Sequence, residues 1–269
     1  MSYKICLLGN SGSYTKMVAK SFDDLNIEYS LILEVSKRKN NSVIQKILSY
    51  PNKIYNYFDI GKYKGLSKYD IFTYKLFITD IINKKKANYQ DLLKVYAEYK
   101  PRNKQLFTTP HVNHVQTLKI IQDNSFDIAI FAGVGIVDSV IINALNEYCL
   151  NGHPAPLPEC RGGGALENTL YYDLDPAVSI HYGTAGIDEG EILRVTPVVL
   201  SKKDTFQSIS LKLTTMCANE LAEVTNSLLN GVTFNTTKSD GKLHYWKNCN
   251  KDIQKKALKN LSLKLSSIE

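Results

Sequence analysis

Residues 3–10, YKICLLGN, are an apolar run that stops at a small, polar turn, GNSGS (9–13). Apolar side chains at consecutive positions mark a strand covered on both faces, as parallel sheets require. Met17, Val18, Phe22 and Leu25 follow at helical spacing across 14–25, and EYSLILEV (28–35) is a second β-rich run. Strand, glycine turn, helix and strand in that order predict a β-α-β opening and hence an α/β fold on a mostly parallel central sheet.

The chain has 269 residues, 43% hydrophobic and 22% charged, which suits one large domain with a small appendage. Its five Cys are odd in number and have no C-x-x-C spacing, so a disulfide framework is not expected and a reducing compartment fits better. The N-terminus is too short and polar for a signal peptide, and no apolar run approaches the roughly 18 residues of a membrane span. The expectation is a cytoplasmic protein without a membrane association. The formal charge of +7 comes mainly from lysine in short, Asn-mixed runs such as 36–41 and 83–88. That pattern reads as a solvated surface, or as attraction for an anionic partner such as a nucleotide. No nucleic-acid-binding signature accompanies it, so no nucleic-acid partner is expected.

The segment 36–109 is rich in Tyr and Lys, with helical stretches around 69–84 and 89–99, and reads as an insertion. Beyond it, Pro110 lies near the start of a helix reaching about 122. FDIAIFAG (126–133) predicts a buried strand, and 137–145 an amphipathic helix. CLNGHPAPLPECRGGG (149–164) is too dense in Pro and Gly for a helix or strand interior and reads as a loop after a strand ending near Leu150. A helix over 165–172, strands over 177–183 and 191–200, and a long helix over 204–230 capped by Asp204 and stopped by Gly231 come next. A hairpin turning at 239–241 and a terminal helix over 251–266 close the chain. Residues 1–200 are taken as the core and 201–269 as a tail.

Asn151 and His153 are alternate residues on an extended segment, so they face one way, at the end of a strand where open α/β sheets bind ligands. An amide donor beside an imidazole suits a reaction that builds negative charge on a carbonyl oxygen while a proton leaves a nucleophile. On spacing alone, a structural His-Pro loop with a turn Asn is the more ordinary reading. Asp188, in the Gly-punctuated TAGIDEG, is either a third relay member or a turn residue. Gly12 and Ser13, in the first turn, suit a phosphate at a helix N-terminus but equally a turn without a ligand. His111 and His114 have no third ligand nearby, so no metal is expected. Cys160 adjoins Arg161, whose charge could lower its pKa, but without a paired His it reads as incidental.

Taken together, Asn151-Gly-His153-Pro154, Leu157-Pro158, Arg161-Gly-Gly, Ser179-Ile-His181-Tyr and Ile187-Asp188-Glu-Gly190 resemble the folate-dependent formyltransferase family, with Asp188 seven residues after His181. The resemblance covers 126–200 firmly and 1–35 loosely. The loop departs from the family pattern at Glu159-Cys160, and the residues before Asp188 lack the acidic residue many members carry. The resemblance implies a Rossmann-like formyltransferase fold with a small hairpin/helix tail, 10-formyltetrahydrofolate as cosubstrate and no metal. It implies that Asn151 and protonated His153 stabilise an oxyanion and that Asp188 holds His153 or a water. Gly133, Val134, Ile136 and Val137, with Thr184, Ala185, Gly186 and Ile187, would hold the pterin, and Gly12, Ser13 and Arg161 the acceptor.

The stretch after Ile192 is short for a tRNA-gripping domain, and glycinamide ribonucleotide transformylases lack an insertion like 36–109. The expected acceptor is therefore a nucleotide-linked amino sugar, in the synthesis of surface polysaccharide such as lipopolysaccharide O-antigen. Phosphoribosylglycinamide, tRNA or another amine, and a non-catalytic folate- or nucleotide-binding relative stay open. Tyr245 and Trp246 of the tail suit either a homodimer edge or a docked tail.

Overall fold

Ile5 and Leu7 pack on one side of the first strand and Cys6 and Leu8 on the other; Ile128 and Ile130 likewise oppose Ala129 and Phe131. Both faces of the sheet are therefore dry, which explains the unbroken apolar runs. In the computed structural model, which describes residues 3–35, 96, 98–239, 244–246 and 251–268, these runs are β1 (Ile5–Asn10) and β4 (Ile128–Ala132). They pair in parallel, with β2 (Ser30–Glu34) and β3 (Leu106–Thr109) outside β1 and β5 (Tyr148–His153) outside β4. After β6 (Cys160–Gly162), β7 (Ala177–Tyr182) joins β5 antiparallel and β8 (Ile192–Pro197) joins β7 antiparallel. The seven-stranded order is β3-β2-β1-β4-β5-β7-β8.

The helix α1 (Ser13–Asp24) is held mainly by packing. Its N-cap, Gly12, supplies no side-chain bond, a device worth about 1 kcal/mol. Burial of each of Met17, Val18 and Phe22 contributes about 1.5–3 kcal/mol. On the opposite face, Ile121 of α2 (Val115–Asn124) and Ile141 of α3 (Ser139–Ile142) join a second buried cluster. The helix α4 (Ala165–Tyr171) packs with the terminal helix α6 (Lys251–Ser266), and the long α5 (Phe206–Leu229) crosses α1 and the β5–β7 region.

The structure corrects several expectations. Residues 106–109 belong to the sheet as its edge strand, not to an insertion; Leu106 is exposed there, so the apolar signal is weak. The helix predicted from Pro110 begins at Val115, where His114 Nδ1 accepts from Gln116 N. The helix predicted over 137–145 has only four helical residues. The strand expected to end near Leu150 runs on to His153: β5 is paired with β4 as far as Asn151 and with β7 through His153. α5 is capped by Thr205 in a reciprocal box with Ser208, while Asp204 binds Ser201 N and Lys212.

The predicted hairpin is not formed between its described arms. Thr237 bridges Ile192, and β9 (His244–Trp246) pairs in parallel with β6. The predicted helix over 69–84, and most of that over 89–99, lies outside the described residues. Among the described residues no helix is long and apolar enough to cross a membrane, and Cys6, Cys149, Cys160 and Cys217 are free.

Candidate active site

Asn151 pairs with His181 across the β5–β7 ladder, and His153 with Ser179. Residues 149, 151 and 153 share one face of β5 by strand alternation, so Asn151 and His153 stand together where the sheet turns from parallel to antiparallel. The proline segment beyond them is tied down by Ser179, which donates to Ala155 O (2.8 Å) and accepts from Leu157 N (2.9 Å).

Asp188 enters this corner from the β7–β8 loop. Its Oδ2 accepts from Gly162 N at 2.9 Å and lies 3.3 Å from His153 Nδ1. Its Oδ1 accepts from Asn151 Nδ2 at 3.2 Å and lies 3.5 Å from His181 Nε2. The residue has φ 50°, a left-handed conformation that costs a non-glycine residue roughly 1–2 kcal/mol. Behind it the turn is close-packed: a Cβ on Gly190 would lie 1.7 Å from Tyr182 O.

The hydrogen-bond pattern fixes protons and tautomers. His181 Nδ1 lies 2.8 Å from the Tyr182 carbonyl, so it carries the proton, and Nε2 accepts from Asn151 Nδ2 at 3.1 Å. Both N–H bonds of Asn151 are thus used, one on His181 and one on Asp188. A flipped amide would set its oxygen against the carboxylate. His153 Nε2 lies 3.0 Å from Cys160 O and donates to it, leaving Nδ1 bare beside Asp188.

Burial pulls His153 below the ordinary histidine value, and the Asp188 charge and the Cys160 carbonyl only partly oppose it. Burial pushes the Asp188 carboxyl up, but the His181 and His153 imidazoles and the Gly162 N–H around it outweigh that and hold the carboxyl well below the usual range. At neutral pH the site rests as an Asp188 carboxylate beside a neutral His153. Burial thus opposes the protonated His153 expected from the sequence, while an acceptor oxygen stands at each ring nitrogen. These two oxygens are arranged to receive a second proton.

The other expected residues fall in three places. Gly133, with φ 90°, begins the loop after β4; there Val137 is buried and Ile136 is 59% exposed, with Val134 between those extremes. Thr184 and Ala185 are exposed and Gly186 and Ile187 half-buried in the loop after β7. That second loop starts against the end of β4, since a Cβ on Gly183 would lie 2.8 Å from the Phe131 ring. Asn113 braces the first loop, donating to Ile136 O (2.9 Å) and accepting from Asp138 N (2.9 Å).

At the first turn, Gly12 N already donates to Asn10 Oδ1 (2.7 Å), so it is not free for a phosphate, while Ser13 is exposed. Arg161 is 6% exposed and directed at Ser239 and Glu189. Burial pushes the Cys160 thiol up to about 11, opposite to the lowering expected from Arg161.

His181, used in the sequence only to set the register of Asp188, is the fourth member of the cluster. Its alternation with the buried Ile180, opposite Asn151, was the available signal. The roles of Gly162 N and Cys160 O left no trace in side-chain types.

No protein-family model matches the chain. Methionyl-tRNA formyltransferase of Rickettsia typhi is 31% identical over 144 residues, which is 49% of this chain and 48% of that protein. The chain spans about half the length of the curated relatives it matches. In fold it is similar to a sugar N-formyltransferase from Shewanella (TM-score 0.57, 14% identity, 96% of this chain and 87% of that one). A 4-N formyltransferase from Francisella tularensis is comparably similar (TM-score 0.55, 11% identity, the same coverage). The chain, with its Asn-His-Asp corner, thus shares the fold of the formyltransferases, and about half of it is similar in sequence to methionyl-tRNA formyltransferases.

Proposed function

We propose that the chain is an N-formyltransferase that moves a formyl group from 10-formyltetrahydrofolate to the primary amine of a nucleotide-linked amino sugar. The observation that carries formyl transfer is the joining of Asn151, His153 and Asp188 in one buried corner, with His181 completing it. When bound, the folate supplies the formyl group, between the loops at 133–137 and 183–187.

The chain's own residues would handle charge and proton. One Asn151 N–H turns from its long bond to His181 or Asp188 and donates to the formyl oxygen as that oxygen becomes negative. His153 takes the amine's proton at Nδ1, where the Asp188 carboxylate holds it, and gives it to the folate nitrogen as the bond from that nitrogen to the formyl carbon breaks, while Nε2 keeps its bond to Cys160 O. A base of this kind works only when neutral. The acid limb of kcat/KM should therefore have its midpoint below the ordinary histidine value of 6.5, with activity lost as pH falls through it and Asp188 ionised throughout. A pH profile whose acid limb lies above that value would remove His153 from this role.

The acceptor assignment is supported by fold likeness over nearly the whole chain to a sugar N-formyltransferase. The sequence likeness to methionyl-tRNA formyltransferases favours a second reading, with an aminoacyl-tRNA as acceptor. A sugar-nucleotide acceptor feeding surface polysaccharide puts the reaction in the cytoplasm. The test is tetrahydrofolate release, followed by absorbance, against nucleotide-linked amino sugars, phosphoribosylglycinamide and methionyl-tRNA. Turnover is expected with an amino sugar alone. Turnover only with methionyl-tRNA or phosphoribosylglycinamide would replace the sugar, and folate binding without turnover on any amine would leave a binding protein.

A further inference from the structure

The tail segment 236–239 lies along the loop that carries Asp188. Thr237 exchanges both backbone bonds with Ile192, at 2.8 and 3.0 Å. Thr236 Oγ1 donates to Glu191 Oε2 at 2.9 Å, and Ser239 Oγ donates to the backbone carbonyl of Asp188 at 3.2 Å. The same hydroxyl accepts from Arg161 Nη2 at 2.7 Å. The directions are forced, because a guanidinium only donates, a carbonyl only accepts, and a hydroxyl does both.

Two adjacent residues of β6 therefore grip Asp188 at two points. Gly162 N–H holds its carboxylate, and Arg161 holds its carbonyl through Ser239. Few conformations of Asp188 satisfy both, and the left-handed backbone seen here is one of them. Burying a guanidinium is costly unless its donors are used. Arg161 has its shortest bond to Ser239, lies 3.5 Å from Glu189 Oε1, and has no partner for Nε among the described residues. Its charge is thus committed to the tail and the Asp188 loop.

We infer that Ser239, held by Arg161, is a positioning residue for formyl transfer: it fixes the backbone of Asp188 and so aims the carboxylate at Asn151 and His153. The tail is in this sense part of the site, although it touches no reacting atom. The kinetic consequence rests on the formyl-transfer reading; the geometric one does not. Charged or titratable groups around Asp188 are His153 on β5, His181 on β7, Arg161 on β6, Glu189 in its own loop and Cys217 on α5.

The experiment compares Ser239→Ala and Ser239→Thr in the full chain. For Ser239→Ala, kcat should fall about ten-fold while KM for 10-formyltetrahydrofolate stays within about two-fold. Ser239→Thr keeps the hydroxyl and should return kcat to within about two-fold of wild type. Wild-type kcat in Ser239→Ala, or an equal loss in Ser239→Thr, overturns the inference. A second readout needs no turnover. In histidine-labelled protein, the ¹⁵N ring resonances of His153 and His181 should move in Ser239→Ala and return in Ser239→Thr, and unmoved resonances also overturn it. A wild-type protein inert toward every amine would defeat the formyl-transfer reading, and the ring resonances would still decide the role of Ser239.

Discussion

Asp188→Asn should lower kcat about a thousand-fold, with folate binding little changed, because removing the orienting acid of a relay costs this much when the geometry survives. Both carboxylate oxygens of Asp188 face donors: Oδ2 meets Gly162 N and Oδ1 meets Asn151 Nδ2. An amide has one acceptor end. If its oxygen stays on Gly162, its NH₂ opposes that of Asn151; if it flips, the NH₂ opposes the Gly162 N–H. Either way one of the two bonds is lost, and the negative charge that stabilises a protonated His153 is lost too. Single-turnover rates with pre-bound 10-formyltetrahydrofolate measure the effect on chemistry, and circular dichroism checks the fold. A variant that keeps a tenth of the wild-type rate would mean that Asp188 shapes the loop and does little for the proton.

The parts of this site legible in the sequence are those fixed by local spacing. Asn151 and His153 lie on one strand face, and Asp188 stands at a set distance from His181 along the chain, so both relations survive in one dimension. What could not be read are relations between elements distant in sequence. Nothing local to Arg161 shows that Ser239, 78 residues later, accepts its N–H. Residues 239–241 carry good turn chemistry, but Thr237 finds Ile192 and His244 finds Cys160. A turn signal reports the propensity for a bend and says nothing of which strand edge offers a partner.

The same limit explains the misread boundaries. Strand β5 runs through Gly152 to His153 although glycine and the following proline argue for a loop, because β4 pairs as far as Asn151 and β7 through His153. A Cβ on Gly152 would lie 2.6 Å from Cys217 Sγ of α5, so the glycine serves close packing within the strand. Edge strand β3 shows the converse: with one paired side and an exposed Leu106, its sequence carries little of the apolar signal that identifies β1 and β4. Burial on both faces writes a strand into the sequence, and an edge position largely erases it.

Asn151→Ala should lower kcat by about two to three orders of magnitude, the usual loss of one donor to a developing oxyanion. In the resting site this amide serves no substrate; its two N–H bonds, 3.1 and 3.2 Å long, hold His181 and Asp188. The truncation therefore removes a future oxyanion donor and also loosens the acid that holds the His153 proton. Residues that act as a unit are not additive. The double variant Asn151→Ala/Asp188→Asn should accordingly be little slower than the worse single one, far from the product of the two losses. Single-turnover rates of the four proteins form the cycle that measures this coupling. If the losses instead multiply, Asn151 and Asp188 act independently, and the bond between them, which the geometry makes central to the resting site, contributes nothing to the reaction.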